Sequence, residues 1–205
     1  MTLRDTPDRE RAERDEPAIA ADREAIRAVR RGDAEAFARV VGWYQRRLFG
    51  LALMLTREPS AAEEVAQDAF VRAFTHLDAY DERRPFYPWL ATIAVRLAQN
   101  WLTQRARVVA REGYTLAPDL DSAGAADPLA ALITDEDGRR LWRWVAALPS
   151  GERTAAILYY RQEMSVRDIA RALGVTSGTV KTLLFRARQR LRRTVGGAEQ
   201  GGEGR

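Results

Sequence analysis

The sequence predicts an all-α chain of two small helical domains joined by an acidic, flexible linker. Three observations carry that prediction. Apolar residues recur at three-and-four spacing through residues 22–107 and again through 139–193, the period of helix faces that bury against one another. Between these stretches, residues 115–137 hold six carboxylates (Asp119, Asp121, Asp127, Asp135, Glu136 and Asp137) and neither Arg nor Lys. Pro118, Gly124 and Pro128 interrupt any regular element there. Residues 165–185 carry the small, apolar and turn residues of a helix-turn-helix at the required offsets.

Composition closes off several function classes. The 205 residues include no cysteine, so disulfides and thiolate-held zinc are excluded. His76, the single histidine, cannot build a multi-histidine metal site and reads as a helix-end residue. There is no Gly-x-Gly-x-x-Gly and no Walker-type loop, and no convincing serine-only or carboxylate-only site, so no cofactor, metal or catalytic residue is expected. The start of the chain is polar and no apolar run reaches eighteen residues, so a cytoplasmic protein without membrane insertion is expected. Net charge is only +4, and all 33 basic residues but Lys181 are arginine. Arginine frequency alone is therefore weak evidence for a nucleic-acid partner, and clustering is the useful signal.

The elements follow in order. Residues 1–21 have mixed charge, Pro7 and Pro17, and read as a disordered leader. Asp33 caps a helix whose buried face holds Phe37, Val40, Val41, Tyr44, Leu48, Leu51 and Leu55, ended by Glu58-Pro59. Ser60 to Glu63 reads as a capping box for the next helix, with Ala66, Phe70, Ala73, Phe74 and Leu77 inward. After a polar connector, residues 78–85, a third helix turns Phe86, Leu90, Ile93, Ala94, Leu97 and Trp101 to the core. The stretch 108–138 is the acidic tether, able to span on the order of 100 Å if extended. Helical pattern resumes with Leu141, Trp144, Val145 and Leu148, and a second helix covers about 152–161.

Ser165 caps the first helix of the helix-turn-helix, with Asp168 favourable to its dipole. Ile169, Leu173, Val175, Val180 and Leu183 are the expected inward positions. Ala170 is small where two helices cross, and Gly174 supplies a left-handed backbone in the turn. The second helix runs to about Arg193, and residues 176–193 contain no acid. Such a helix lies in the major groove. Ser177, Thr179, Lys181, Thr182 and Arg186 are placed for base edges or nearby phosphates, and Arg188 and Arg190 for the DNA backbone, which positions without specifying. A tail, 194–205, follows. On these residues alone, a stand-alone helix-turn-helix repressor or activator is an alternative reading.

The N-terminal half narrows the choice. Residues 32–37 (Gly-Asp-Ala-Glu-Ala-Phe), 62–74 (Ala-Glu-Glu-Val-Ala-Gln-Asp-Ala-Phe-Val-Arg-Ala-Phe) and 84–94 (Arg-Pro-Phe-Tyr-Pro-Trp-Leu-Ala-Thr-Ile-Ala) together resemble region 2 of sigma-70-type RNA polymerase sigma factors. Residues 148–192 resemble region 4. The resemblance covers roughly 22–193 and is nearest the two-domain, extracytoplasmic-function (ECF) group. It implies a factor that directs core polymerase to promoters and initiates transcription. Residues 22–107 would bind polymerase and recognise and melt the −10 element, and 139–193 would read the −35 element.

The resemblance also implies residue roles. Glu64, Gln67, Asp68 and Val71 form a stripe for the basic coiled coil of the largest polymerase subunit. Without the resemblance the same stripe reads as a solvated face. Tyr87, Trp89, Thr92, Arg96 and Asn100 form the −10 surface, where aromatic and guanidinium planes stack on bases. Trp89 reads equally as core, and Trp101 as core. The polymerase flap region and an anti-sigma factor are further implied partners, and the implied place is the nucleoid, or the membrane where an anti-sigma factor holds the chain. The acidic tether would thread basic polymerase channels, although it also reads as an ordinary solvated linker. Thr92 and Arg96 stand where many relatives carry Arg and Asn, so the −10 preference does not carry over. Glu163-Met164-Ser165 stands for the usual Gly-Leu-Ser, and Leu183 for a common polar residue, which leaves the −35 preference open.

Overall fold

The structure, a computed structural model, describes residues 20–111 and 136–200, the side chains of 109–110 and 196–200 excepted. Nearly all of the expected leader and acidic tether lies outside the described residues. Among the described residues there is no strand, and helices make the whole architecture.

The N-terminal body opens with α1, residues 20–30, which buries Ala25 and Ile26. Helix α2 (Glu35–Thr56) begins after Asp33, whose Oδ1 accepts the Ala36 N–H at 3.1 Å. It ends one turn after Ala52, with Arg57 in the left-handed region at φ 58° and its N–H bonded to the Leu53 carbonyl. Helix α3 (Pro59–Thr75) corrects one expectation. Ser60 caps nothing: the helix already starts at Pro59, because proline's fixed φ and missing N–H suit the first helical position. Ser60 Oγ instead donates to Glu58 Oε1 at 2.9 Å.

A short 3-10 turn (Leu77–Ala79) leads to the connector before α4 (Phe86–Arg111). Arginines of α1 hold this connector. Arg23 donates to the Glu82 carbonyl at 2.7 Å, Arg27 pairs with the Glu82 carboxylate at 2.8 Å, and Arg30 bonds the Leu77 and Tyr80 carbonyls. Helices α2, α3 and α4 pack on one another around Val40, Leu48, Leu51, Ala69, Leu90 and Ala94, all at or near zero exposure. Each lies on a face spaced by three and four. Phe74, expected inward, is 43% exposed, although its ring still meets Phe37 at 5.1 Å.

The C-terminal body comprises α5 (Glu136–Ala146), α6 (Ser150–Ala156) running into a π turn (Ile157–Arg161), α7 (Val166–Leu173) and α8 (Ser177–Gln200). The π turn inserts an extra residue, so Gln162 N–H reaches back five residues to the Ile157 carbonyl. Glu163 then adopts φ 54°, the left-handed region, and Met164 drops into the core at 1% exposure. Helices α7 and α8 form the helix-turn-helix, and α8 also packs on α6. The two bodies touch: α7 lies along α4, and buried residues of both belong to one continuous apolar cluster.

Candidate nucleic-acid interface

The helix-turn-helix is built as its residues dictate. Ser165, extended at φ −66° and ψ 154°, accepts the Asp168 N–H at 3.2 Å and donates to Asp168 Oδ2 at 2.6 Å. Gly174 closes α7 at φ 68°, and its N–H bonds the Ala170 carbonyl. Thr176 caps α8 through Oγ1, which accepts the Thr179 N–H at 3.1 Å, a cap that the Thr-Ser-Gly-Thr run signals and that was not foreseen. Ile169 and Val180 are fully buried. Val175 is not inward: it is 38% exposed, because the chain is turning away from the core there. The inner face of α8 runs Val180, Leu184, Ala187, which leaves Leu183 half-buried on its flank.

The outer face of α8 is free. Thr179, Lys181, Thr182 and Arg186 are exposed, and Ser177 is half-buried at the first turn. Thr182 Oγ1 donates to the Gly178 carbonyl at 3.1 Å. Phe185, 55% exposed between Thr182 and Arg186, is an aromatic that the sequence reading passed over. Arg188 folds onto its own helix, with Nε 3.2 Å from the Leu184 carbonyl. Arg190 pairs at 2.9 Å with Glu152, whose carboxylate is nearly buried on α6, so its charge is already answered within the protein.

On the N-terminal body, Glu64, Gln67, Asp68 and Val71 all face outward at i, i+3, i+4 and i+7 of α3, and Val71 is 61% exposed. The surface at the start of α4 differs more from expectation. Trp89 is half-buried, its ring tilted against those of Tyr80 at 5.3 Å and Phe86 at 5.5 Å. Thr92 turns its hydroxyl to the Pro88 carbonyl at 2.8 Å. Asn100 is exposed. Tyr87 is only 4% exposed: the Arg47 guanidinium sits 3.8 Å over its ring and its hydroxyl donates to Gln162 Oε1 at 2.5 Å. Burial pushes the Tyr87 phenol up to about 12. Arg96 is exposed but reaches the Arg171 carbonyl of α7 at 3.2 Å. Trp101, expected in the core, is half-buried beneath Arg105, whose guanidinium lies 5.1 Å from its ring. Among the described residues no group of three or more His, Asp or Glu is gathered to hold a metal, and no helix is long and apolar enough to cross a membrane.

A helix-turn-helix with a basic outer face on one body and a helical bundle on the other define a two-body, all-helical protein of the DNA-binding class. Comparison with known proteins narrows this further. Residues 40–108 match the model of Sigma-70 region 2, and residues 138–191 that of Sigma-70 region 4. The chain is 31% identical to the ECF RNA polymerase sigma factor SigW of Bacillus subtilis over 83% of its own length and 94% of that protein's. It is 32% identical to the RNA polymerase sigma-H factor of Pseudomonas aeruginosa, over 82% of this chain and 90% of that one. The fold is shared with CnrH, solved in complex with the cytosolic domain of CnrY (TM-score 0.60, 24% identity, 86% of this chain and 98% of that one). It is shared too with the sigma factor RpoE of Bartonella quintana, solved with the anti-sigma factor NepR (TM-score 0.65, 23% identity, 79% and 98%). The chain belongs to the sigma-70 family, in its ECF group: it is an RNA polymerase sigma factor that binds core polymerase and promoter DNA and serves transcription initiation. The family is one of regulators rather than enzymes, and the stand-alone repressor reading gives way to it.

Proposed function

We propose that the two bodies divide promoter recognition, with the N-terminal body, residues 22–107, docking on core polymerase and opening the −10 element while residues 139–193 read the −35 duplex. Residues 108–138 set the separation between them, and their carboxylates occupy basic channels of the polymerase. The chain catalyses nothing itself. One observation supports this division best: the outer face of α8 carries Lys181, Thr182 and Arg186 to solvent, on a segment with no acidic residue from 176 to 193.

In this reading Glu64, Gln67, Asp68 and Val71 meet the basic coiled coil of the largest polymerase subunit, carboxylates around an apolar centre. Ser177, Thr179, Lys181, Thr182 and Arg186 enter the major groove, and Arg188 and Arg190 lie nearer the DNA backbone. Tyr87, Trp89, Thr92, Arg96 and Asn100 receive the melted −10 strand, stacking being worth about 1–3 kcal/mol per base. The flap region of polymerase is a second contact for the C-terminal body. The chain works in the cytoplasm, at the nucleoid. An anti-sigma protein, the kind of partner with which RpoE was solved, sequesters it and holds it at the membrane when that protein is membrane-bound.

The test is reconstitution. The purified chain added to core polymerase should give promoter-specific transcripts, and should associate with core at mild salt. Absence of both would sink the reading, however well the C-terminal body binds duplex DNA.

A further inference from the structure

Of the five tryptophans in the chain, four are engaged within the protein. Trp142 is buried, Trp89 lies against Tyr80 and Phe86, Trp101 lies beneath Arg105, and Trp144 meets the Arg140 guanidinium at 5.8 Å. Trp43, on α2, is 48% exposed, and among the described residues no aromatic ring or guanidinium lies against it. It stands on an outward stripe, with Arg39 one turn before it and Arg46 one turn after it. Both arginines are exposed, and among the described residues neither has an acid or a hydrogen-bond partner. Gly42 puts no side chain beside the ring, and a Cβ added there would meet nothing within 4 Å. Helix α2 and its end carry no acidic residue from 36 to 57. Arg47, next after Arg46, is by contrast fully committed to Gln162 and the Tyr87 ring.

We propose that Arg39, Trp43 and Arg46 form a further stacking site for unpaired DNA, with one base on the indole face and a phosphate on each guanidinium. The inference rests on the division of labour above and extends the single-strand surface of the N-terminal body onto α2. Every base has a flat π face, so an exposed indole takes it whatever the sequence. Arg39 and Arg46 stand two turns apart, about 10 Å along the helix axis, and flank the ring as two phosphates flank a nucleoside. With no acid on their own helix, both charges are available to the strand. A protein partner would need carboxylates placed on either side of a planar group, an alternation that a DNA strand repeats at every nucleotide. The patch also adjoins the −10 surface. Tyr44 and Arg47, neighbours of Trp43 and Arg46 in sequence, both touch Tyr87, ring to ring at 5.5 Å and guanidinium over ring at 3.8 Å. A strand leaving the −10 surface finds its next anchor on α2.

Binding of a fluorescein-labelled degenerate single-stranded 12-mer to the full chain, followed by anisotropy, tests this. Trp43→Ala should weaken it about tenfold, Trp43→Phe should stay within about twofold of the parent, and binding to a degenerate duplex should be unchanged in both. The Arg39→Gln, Arg46→Gln double variant should flatten the single-strand salt slope by about 1.4. Parental affinity in Trp43→Ala overturns the proposal, and so does a parent chain that binds no single strand at mild salt. Should Trp43→Ala fail to fold, the double variant decides, and a salt slope equal to the parent's overturns the site. The occupant is identified with the photo-crosslinking residue p-benzoylphenylalanine in place of Gly42, in the chain bound to core polymerase and the 12-mer. It should tag the DNA, and tagging of a polymerase subunit alone overturns the proposal in favour of a polymerase-docking face. A chain that never associates with core sinks the sigma reading instead, and the anisotropy measurements then judge the stacking site on their own.

Discussion

Asp22 shows how much one polar side chain can organise. At 2% exposure it accepts the Tyr44 hydroxyl at 2.8 and 2.9 Å and the Phe86 N–H at 3.4 Å, joining α1, α2 and the start of α4. Burial raises its carboxyl above the ordinary aspartate value, against the lowering effect of those two donors. A folded-state value above the unfolded one gives stability that is fully present below the unfolded value and lost as pH rises through the folded one. Asp22→Asn should therefore cost more stability in acid than at neutral pH. Glu82 runs the other way, held low first by its hydrogen bond from Arg27, so Glu82→Gln should cost more at neutral pH than in acid. Urea titrations of both variants at the two pH values check the opposed trends. Gly174 was legible at once, since φ 68° is what a helix-turn-helix turn asks of it; Gly174→Ala should cost about 1 kcal/mol by the same assay. Tyr87 was half legible. An aromatic before a Pro-Trp pair signals a special surface, but nothing local says that a glutamine 75 residues away will cover it.

The helices themselves were the most readable level, because three-and-four spacing over long stretches leaves few alternatives. The failures fall at ends and irregularities. Pro59 rather than Ser60 starts α3, and the π turn at 157–161 leaves no mark in apolar spacing because it adds a single residue. Helix α7 depends on Ile169, fully buried where it faces its neighbours, so Ile169→Ala should destabilise the protein by about 2–5 kcal/mol in thermal or urea unfolding. Helix α8 separates its two jobs by face. Lys181→Ala should leave stability nearly unchanged and lower the salt slope of duplex binding by about one, whereas the paired Arg190 should contribute less to that slope.

At the scale of the whole molecule, the partition into an N-terminal and a C-terminal body followed from the charge gap between them, and their contact did not. Its members are polar residues such as Arg47 and Gln162, 115 positions apart, which periodicity cannot pair. The exposed stripe on α3 makes its own demand. Val71→Asp, placing a charge at the 61% exposed apolar centre of that stripe, should weaken association with core polymerase about tenfold or more and leave duplex binding intact, as pull-down and anisotropy would show. Helix α1 lies upstream of the first residue matched to region 2, yet it fills the core with Ile26 and grips the connector with three arginines. Anyone trimming the protein at the family boundary would therefore remove a wall of the domain, leaving a hole beside Phe86 and an unmoored loop in front of α4.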